Sequence, residues 1–270
     1  AMSGSMEFLQ PAEYELGKRF LKDGYLIVEV EDKDSLGWMR EKVAVATASF
    51  LKIKSGEADF LLNKIHEHIS KLNLNDLRLN VIEKLNADRL LRPRYYSLAR
   101  EALWALVGNE LAMQLRINLS IQLPGDDSSL LPVHADVWSG DSPFEVVMWV
   151  PLVDCYKSKS MFILPPGATQ VLHDRFAEYK GRSSEDIYQD IKRDVEWVEV
   201  KYGQALLFNQ NLPHGNRVNM EKETRWSMNC RFKSVFSPYG DKKLGEFFEP
   251  ITIRPATRIG MHYRYPDTGD

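Results

Sequence analysis

The sequence has few of the features that mark specialised classes of protein. Only two of its 270 residues are cysteines, Cys155 and Cys230, and they lack the Cys-x-x-Cys spacing of redox and zinc motifs. No run approaches the 18 consecutive apolar residues of a membrane span. An excess of one charge is also absent, since 35 basic residues stand against 38 acidic ones, a net charge of −3. We therefore expect buried thiols, a cytoplasmic location and no nucleic-acid or membrane partner.

The composition that is present is that of an ordinary globular protein, with 44% hydrophobic and 27% charged residues. Residues 1–5 have the character of a tag remnant left by cloning, ahead of a natural start at Met6. Residues 6–270 are predicted to form a single domain. Its parts are a helical region at about 6–110, a β core at about 111–236 and a C-terminal extension at 237–270.

Apolar residues recur at helical spacing through most of the first 110 residues. Asp23-Gly24 is typical of a helix end followed by a turn. We predict helices at 13–21, 34–45, 60–72 and 97–106, with one short strand at 25–30.

The pattern changes at Ala112, where the strongest strand signal of the chain begins. From Met113 to Leu123, apolar residues alternate with polar ones over 11 residues without a violation. Shorter strands, separated by Pro, Gly and Asn or Asp clusters, are predicted at 144–152, 161–164, 197–200, 205–208 and 224–235, with one helix at 185–192. Regular short strands with turn signals are typical of a sandwich or barrel of the jelly-roll kind. The fold predicted is mainly β, with helices covering the β core.

Of six histidines, only His134 has a carboxylate two positions on, in Asp136. Side chains two residues apart on extended backbone face the same side. With a second histidine, they would complete the two-histidine, one-carboxylate triad of non-haem Fe(II) sites, which leaves coordination positions open. His214 is the best third ligand, because it follows the 205–208 strand and Gly215 permits a close backbone approach.

Arg225 lies eleven residues beyond His214, in a strand whose alternation puts Ser227, Asn229 and Arg231 on the same face. A fixed cation with a hydroxyl beside it is suited to holding a carboxylate by charge-assisted hydrogen bonds. Arg231 is about 20 Å along the strand from Arg225, so the two cannot serve one carboxylate. For Arg231 we expect a structural ion pair in preference to a second anion site.

Taken in order, His134, Asp136, His214, Arg225 and Ser227 resemble the Fe(II)/2-oxoglutarate-dependent oxygenases. The resemblance implies a double-stranded β-helix core of the cupin type. It also implies that the two histidines and the aspartate hold iron, and that Arg225 holds the far carboxylate of 2-oxoglutarate. Hydroxylation by O2, with release of succinate and CO2, is the reaction that such a site implies.

Further stretches of sequence carry a narrower resemblance. The segment Phe20-Leu-Lys-Asp-Gly-Tyr-Leu26 is similar to the opening of the phytanoyl-CoA dioxygenase branch, and Leu164-Pro-Pro-Gly-Ala168 falls where that branch often has Pro-Gly-Ser-His. The stretch from His134 to Glu145, with Trp149 to Asp154, is similar to oxygenases of bacterial carbohydrate-biosynthesis clusters. We expect a small polar substrate and favour a sugar derivative, with an acyl or lipid-like substrate as the second choice. The halogenating relatives lack the carboxylate that Asp136 provides, which favours a hydroxylase or a related oxidant.

Several other polar residues are candidates for ligand contacts. Those expected near the cosubstrate, besides Arg225 and Ser227, are Asn118, Gln122 and Asn216. Those considered for the substrate are Trp138, Asp141 and Arg231. Two alternatives remain open: a cupin-type metal enzyme that does not use 2-oxoglutarate, and a non-catalytic binding module. Arg225 at its spacing weighs against the first, and the intact ligand triad weighs against the second.

Overall fold

A computed structural model describes residues 8–267, so the expected tag remnant at 1–5 lies outside the described residues. The helices are α1 (Pro11–Asp23), α2 (Lys33–Leu51), α3 (Ala58–Asn63), α4 (Lys71–Asn86), α5 (Leu91–Ser97), α6 (Arg100–Leu106), α7 (Pro166–Asp174), α8 (Ser184–Ile191) and α9 (Pro255–His262). The strands are β1 (Tyr25–Glu29), β2 (Leu111–Gln114), β3 (Asn118–Gln122), β4 (Val146–Pro151), β5 (Met161–Ile163), β6 (Glu196–Val198), β7 (Gln204–Asn209), β8 (His214–Gly215), β9 (Arg225–Ser234) and β10 (Phe248–Pro250).

The larger of two antiparallel sheets is organised around the long strand β9. The main strand order is β1-β7-β4-β9-β2-β10, and β3 also pairs with β9. β4 runs along one edge of β9, while β2 and β3 share the other edge. Trp226, Met228 and Phe232 alternate along β9 and are fully buried, so the apolar face predicted for this strand packs into the core.

A smaller sheet, in the order β6-β5-β8, completes the β core. Residues of both sheets line one large cavity, which therefore lies between them. Helices α2, α4 and α5 contact one another, and α4 also packs on β3. Two antiparallel sheets with helices outside them agree with the predicted jelly-roll core and its helical covering.

The long alternating segment at 113–123 is not one strand, which corrects the prediction. β2 pairs Met113 with Phe232, whereas β3 pairs Asn118 with Asn229, so two extra residues are inserted between the ladders. An insertion of two residues preserves the side-chain alternation. The period-two pattern therefore continues from β2 into β3, and the sequence gives no sign that the strand is interrupted.

The helix predicted at 60–72 is also wrong. α3 ends at Asn63, and a new helix, α4, begins at Lys71. The carbonyl oxygens of Leu62 and Asn63 accept hydrogen bonds from the Trp226 indole and from the Thr224 amide. Because these tertiary contacts use carbonyls that a continuing helix would need, the helix ends there.

Most other predicted elements have bounds within two residues of those observed, although α2 continues to Leu51, six residues past its predicted end. The helix predicted at 97–106 is observed only as α6, because α5 ends at Ser97 and α6 begins at Arg100. The cluster at 164–168, expected to separate strands, contains the start of α7. Both cysteines are buried free thiols, as expected. Within residues 8–267, no helix has the length and apolar character required to cross a bilayer.

Candidate metal centre

His134 and His214 are fixed to each other through their backbones. The amide of each donates to the carbonyl of the other, at 3.0 and 2.8 Å, in an isolated antiparallel bridge. β8 in turn pairs with β5, so the bridge ties the His134 loop to the smaller sheet. The two imidazole rings consequently lie side by side, with centroids 4.4 Å apart and planes inclined at 52°.

Asp136 reaches the same place through the extended backbone of Ala135, as the spacing predicts. The Asp136 amide donates to the Gln210 carbonyl at 3.2 Å, and a short 3-10 helix begins at Asp136. One ligand atom each from His134, Asp136 and His214 lie within 4.8 Å of one another. Three donors so close together can face one metal ion.

The hydrogen bonds of the two histidines leave their other nitrogens available for a metal. Nδ1 of His134 lies 2.8 Å from the Pro132 carbonyl, and Nδ1 of His214 lies 2.8 Å from the Leu212 carbonyl. A carbonyl can only accept, so each Nδ1 carries a proton, and Nε2 is the nitrogen that each ring would offer to a metal ion after losing any proton it holds. Burial, with repulsion from His134, lowers the pKa of His214 to about 4, so His214 is neutral at pH 7.

The carboxylate of Asp136 is ionised and held by a neighbouring arginine. Its Oδ2 lies 3.0 Å from Nη2 of Arg231, and its Oδ1 lies 3.5 Å from Nε2 of His134. Burial opposes the charge, but the hydrogen bond with His134 and the charge of Arg231 hold the pKa of Asp136 well below its usual value. The same contact with Asp136 raises the pKa of His134, although burial works in the other direction.

Arg231 makes the ion pairs expected of it. Besides Asp136, its guanidinium lies 3.6 Å from Asp141 and 3.9 Å from Glu145, and Nε donates to Gln210 Oε1 at 3.0 Å. This network places a positive charge directly behind the candidate metal ligand.

The cavity between the sheets has a volume of about 730 Å³, which is ample for two small molecules. The three candidate ligands, Arg225 and Arg231 all line it. Arg225 is 3% exposed, and its Nη atoms donate to the Ser160 carbonyl and the Ser120 hydroxyl at 3.2 and 3.0 Å. Within residues 8–267, neither its Nε nor Oγ of the fully buried Ser227 has a hydrogen-bond partner.

The remaining predicted residues have varied positions. Asn118 lines the cavity and donates its amide to Asn229 at 3.1 Å. Gln122 lies opposite Arg225 in the sheet, but its amide donates to the Arg217 carbonyl and it does not line the cavity. Asn216 lines the cavity, and its side-chain oxygen accepts from the Leu131 amide at 2.6 Å.

Neither Trp138 nor Asp141 lines the cavity. The Trp138 indole lies beside His173 and packs on Phe176, with ring centroids 4.8 Å apart. Asp141 is buried against Arg231 and Lys242. The structure therefore places these two substrate candidates outside the lining of the cavity.

Sequence reasoning did not single out several residues that line the cavity. Ser120 and Asn229 lie on the same sheet face as Arg225. Alternation had placed Asn229 on that face, but neither residue was named as a ligand contact. Lys71, Leu74, Asn75 and Arg78 come from α4. The apolar spacing of this helix, with Leu74, Leu77, Val81, Ile82 and Leu85 buried, was the signal that could have found it.

Comparisons with known proteins identify a family and a fold. A family model described as phytanoyl-CoA dioxygenase (PhyH) matches residues 20–226. A structure of EctD from S. alaskensis with 2-oxoglutarate and 5-hydroxyectoine superposes with a TM-score of 0.55 at 16% identity, covering 86% of this chain and 78% of that one. A non-heme monooxygenase, the ThoJ–Ni complex, gives a TM-score of 0.50 at 18% identity, covering 83% and 79%. These likenesses confirm the predicted fold. No curated protein sequence matches the chain significantly.

Proposed function

Because the chain belongs to the phytanoyl-CoA dioxygenase (PhyH) family, we propose that it is a non-haem Fe(II)- and 2-oxoglutarate-dependent oxygenase acting on a small polar metabolite. His134, Asp136 and His214 would hold the iron. The donor set fits that metal, since two neutral imidazoles and one ionised carboxylate with open positions are typical of non-haem Fe(II) sites. Iron and 2-oxoglutarate, when bound, supply the oxidising chemistry: O2 converts 2-oxoglutarate to succinate and CO2 and oxidises a substrate C–H bond.

The observation that carries the proposal is the burial of the Arg225 side chain without a counter-charge in the described residues. Its guanidinium is buried, and among the described residues it has no carboxylate partner. Burial even lowers the pKa of Arg225. A buried cation without a counter-charge is costly, so it is expected where an anionic ligand completes the pair.

The groups around Arg225 fit the far carboxylate of 2-oxoglutarate. The unpartnered Nε of Arg225 and the unpartnered hydroxyl of Ser227 are both hydrogen-bond donors. Ser120 accepts from Arg225 and so fixes the direction of the guanidinium. Arg225 would therefore orient the cosubstrate, while the three ligands hold its opposite end near them through the metal.

For the reaction type and the substrate we propose hydroxylation of a small polar metabolite, with a sugar derivative favoured. The polar side chains of Asn118, Ser120 and Asn229 support this choice, because they line the same cavity and can hydrogen-bond hydroxyl groups. We propose further that residues 6–270 act as one catalytic domain in the cytoplasm.

Anaerobic absorption spectroscopy tests the proposal directly. Chelation of Fe(II) by the 2-oxo acid should give the wild-type protein a weak visible charge-transfer band. We expect H134A to lose this band, and R225A to require much more 2-oxoglutarate to reach it. The exposed Arg193, for which no ion pair is found among the described residues, provides a matched control, and R193A should behave as the wild type does.

The alternatives predict different spectra. Wild-type protein that binds iron but gives no band with 2-oxoglutarate would overturn the cosubstrate assignment and favour a cupin-type metal enzyme. Protein that binds no iron would favour a non-catalytic module. Far-UV circular dichroism of each variant distinguishes a lost site from a lost fold.

A further inference from the structure

Helix α4 forms part of the cavity wall with one of its faces. Its lining residues Lys71, Leu74, Asn75 and Arg78 recur at intervals of three and four, so they lie on the same side of the helix. Leu74 is buried, whereas Arg78 is partly exposed. The helix thus presents a polar and cationic strip to the cavity.

Contacts at both ends hold α4 in place. At its start, Nζ of Lys71 donates to the Gly125 carbonyl at 2.8 Å and lies 3.0 Å from Oδ1 of Asp127. At its end, the Asn86 side chain donates to the Ile117 carbonyl and accepts from the Ile117 amide, at 2.9 and 2.8 Å. Arg78 therefore stands on a fixed element beside the cavity, which is the requirement for a pre-organised binding group.

Among the cations that line the cavity, Arg78 is the one with neither an anionic partner in the described residues nor an assigned ligand. Lys71 is paired with Asp127, and Arg231 with Asp136. Arg225 is assigned above to 2-oxoglutarate. For Arg78, the contacts found among the described residues amount to one hydrogen bond, from Nη2 to Asn75 Oδ1 at 2.8 Å, and no ion pair.

We infer that Arg78 binds an anionic group of the substrate, a carboxylate or a phosphate ester, in the cavity of the proposed oxygenase. The inference rests on the proposed function, because it needs Arg225 to be occupied by the cosubstrate. A guanidinium has five N–H donors in a planar fork that matches carboxylate and phosphate oxygens. Asp136 is the one acidic residue found among the described residues that line the cavity, and Arg231 already neutralises it. An anion entering this cavity therefore meets attraction at Arg78 without an opposing free carboxylate.

Sulfate is a suitable probe, because it carries the charge and the tetrahedral oxygens without committing to one substrate. Calorimetric titration of the anaerobic, Fe(II)- and 2-oxoglutarate-loaded protein with sodium sulfate, at ionic strength matched with sodium chloride, should show saturable binding. We expect R78Q to bind sulfate about tenfold more weakly or worse, the loss of one charge-assisted contact, and R78K to retain most of the affinity. K84Q is the matched control, since Lys84 is an exposed cation of the same helix that does not line the cavity.

The absorption band of the same samples distinguishes a failure of the Arg78 inference from a failure of the oxygenase assignment. If all variants form the band and R78Q still binds sulfate as the wild type does, the inference is wrong and the oxygenase assignment stands. If R78Q raises the 2-oxoglutarate concentration needed for the band, Arg78 serves the cosubstrate and the inference is again wrong. If the wild type forms no band, or binds no sulfate, the inference is also overturned.

Three further titrations identify the kind of anion. Glucose 6-phosphate and glucuronate are compared with neutral glucose on the same loaded protein. Tighter binding of the phosphate than of glucose, lost in R78Q, assigns a phosphate ester. The same result for glucuronate alone assigns a carboxylate, and equal binding of all three sugars would contradict an anion subsite.

Discussion

Arg225 is the residue on which most of the cosubstrate binding is expected to depend. We predict that R225A raises the KM for 2-oxoglutarate by about 30-fold or more, because truncating one partner of a buried charge pair costs about 2–5 kcal/mol. R225K keeps the charge but loses the fork of donors, so its KM should lie between the two. Succinate formation at varied 2-oxoglutarate concentration measures this. An unchanged KM in R225A would remove Arg225 from the cosubstrate site.

Glu145 predicts a dependence of stability on pH. Its side chain is fully buried, Oε2 accepts from Gln210 at 2.7 Å, and Oε1 has no hydrogen-bond partner in the described part of the chain. Burial raises the pKa of Glu145 above 4.5, although the Gln210 hydrogen bond opposes the shift. The folded protein therefore binds this proton more tightly than the unfolded chain does. That stabilisation is present below pH 4.5 and is lost as the pH rises through the folded-state pKa.

Replacing Glu145 by glutamine should remove this loss. We predict that the unfolding free energy of E145Q, relative to that of the wild type, increases as the pH rises from 4.5 to 8. Urea unfolding of the metal-free proteins at both pH values measures it. E83Q, which neutralises an exposed glutamate of α4, should show no such trend, and a pH-independent difference for E145Q would contradict the assignment.

Among the secondary-structure elements, the two-residue strand β8 has no room for a side chain at Gly215. A Cβ added at Gly215 would lie 2.6 Å from the Leu131 carbonyl oxygen and 3.1 Å from Cζ of Phe162. We predict that G215A displaces β8, disturbs the backbone bridge between His134 and His214, and weakens Fe(II) binding about 10- to 100-fold. Equilibrium titration with Fe(II) under anaerobic conditions tests this.

The control for this prediction is G37A. Gly37 lies within α2, and nothing lies within 4 Å of the position its Cβ would take. Alanine there should stabilise the helix by about 0.5–1 kcal/mol and leave metal affinity unchanged. Equal metal affinity in G215A and the wild type would show that the bridge tolerates the added methyl group.

The elements also show what a sequence pattern can and cannot predict. Alternation predicted β9 and its faces well, because polar and apolar side chains alternate regularly from Arg225 to Phe232. The break between β2 and β3 was missed, because a two-residue insertion preserves alternation and its cause is pairing with a distant strand. α3 ends early for the same kind of reason, through contacts with Thr224 and Trp226.

In the candidate site too, features set by short sequence spacing were predicted, and contacts between distant residues were not. Short spacings can be read directly from the sequence, as for His134 with Asp136 and for Arg225 with Ser227. The ion pair between Asp136 and Arg231 joins residues 95 positions apart, and no pattern of spacing predicts such a contact. The contribution of α4 was missed because the predicted helix boundary fell at its first turn, so Arg78 lay outside any assigned element.

For the whole molecule, the ligands should act as cross-links between the two sheets. The candidate metal ligand His214 belongs to β8 of the smaller sheet, and Arg225 belongs to β9 of the larger one. Bound metal would join β8 to the His134 loop. A chelated 2-oxoglutarate that also reaches Arg225 would extend the connection across the cavity, so each ligand should add its own increment of stability.

We therefore predict a two-step thermal stabilisation under anaerobic conditions. Each ligand at a hundredfold excess over its Kd should add about 2.7 kcal/mol, or about 5–10 °C in melting temperature for a chain of this size. R225A should keep the increment from Fe(II) and lose most of that from 2-oxoglutarate, whereas H134A should lose both, because the cosubstrate depends on the metal for its other end. Melting curves with metal, with 2-oxoglutarate and with both resolve the increments. If 2-oxoglutarate stabilised H134A as much as the wild type, the two ligands would bind independently and the cross-linked arrangement would be wrong.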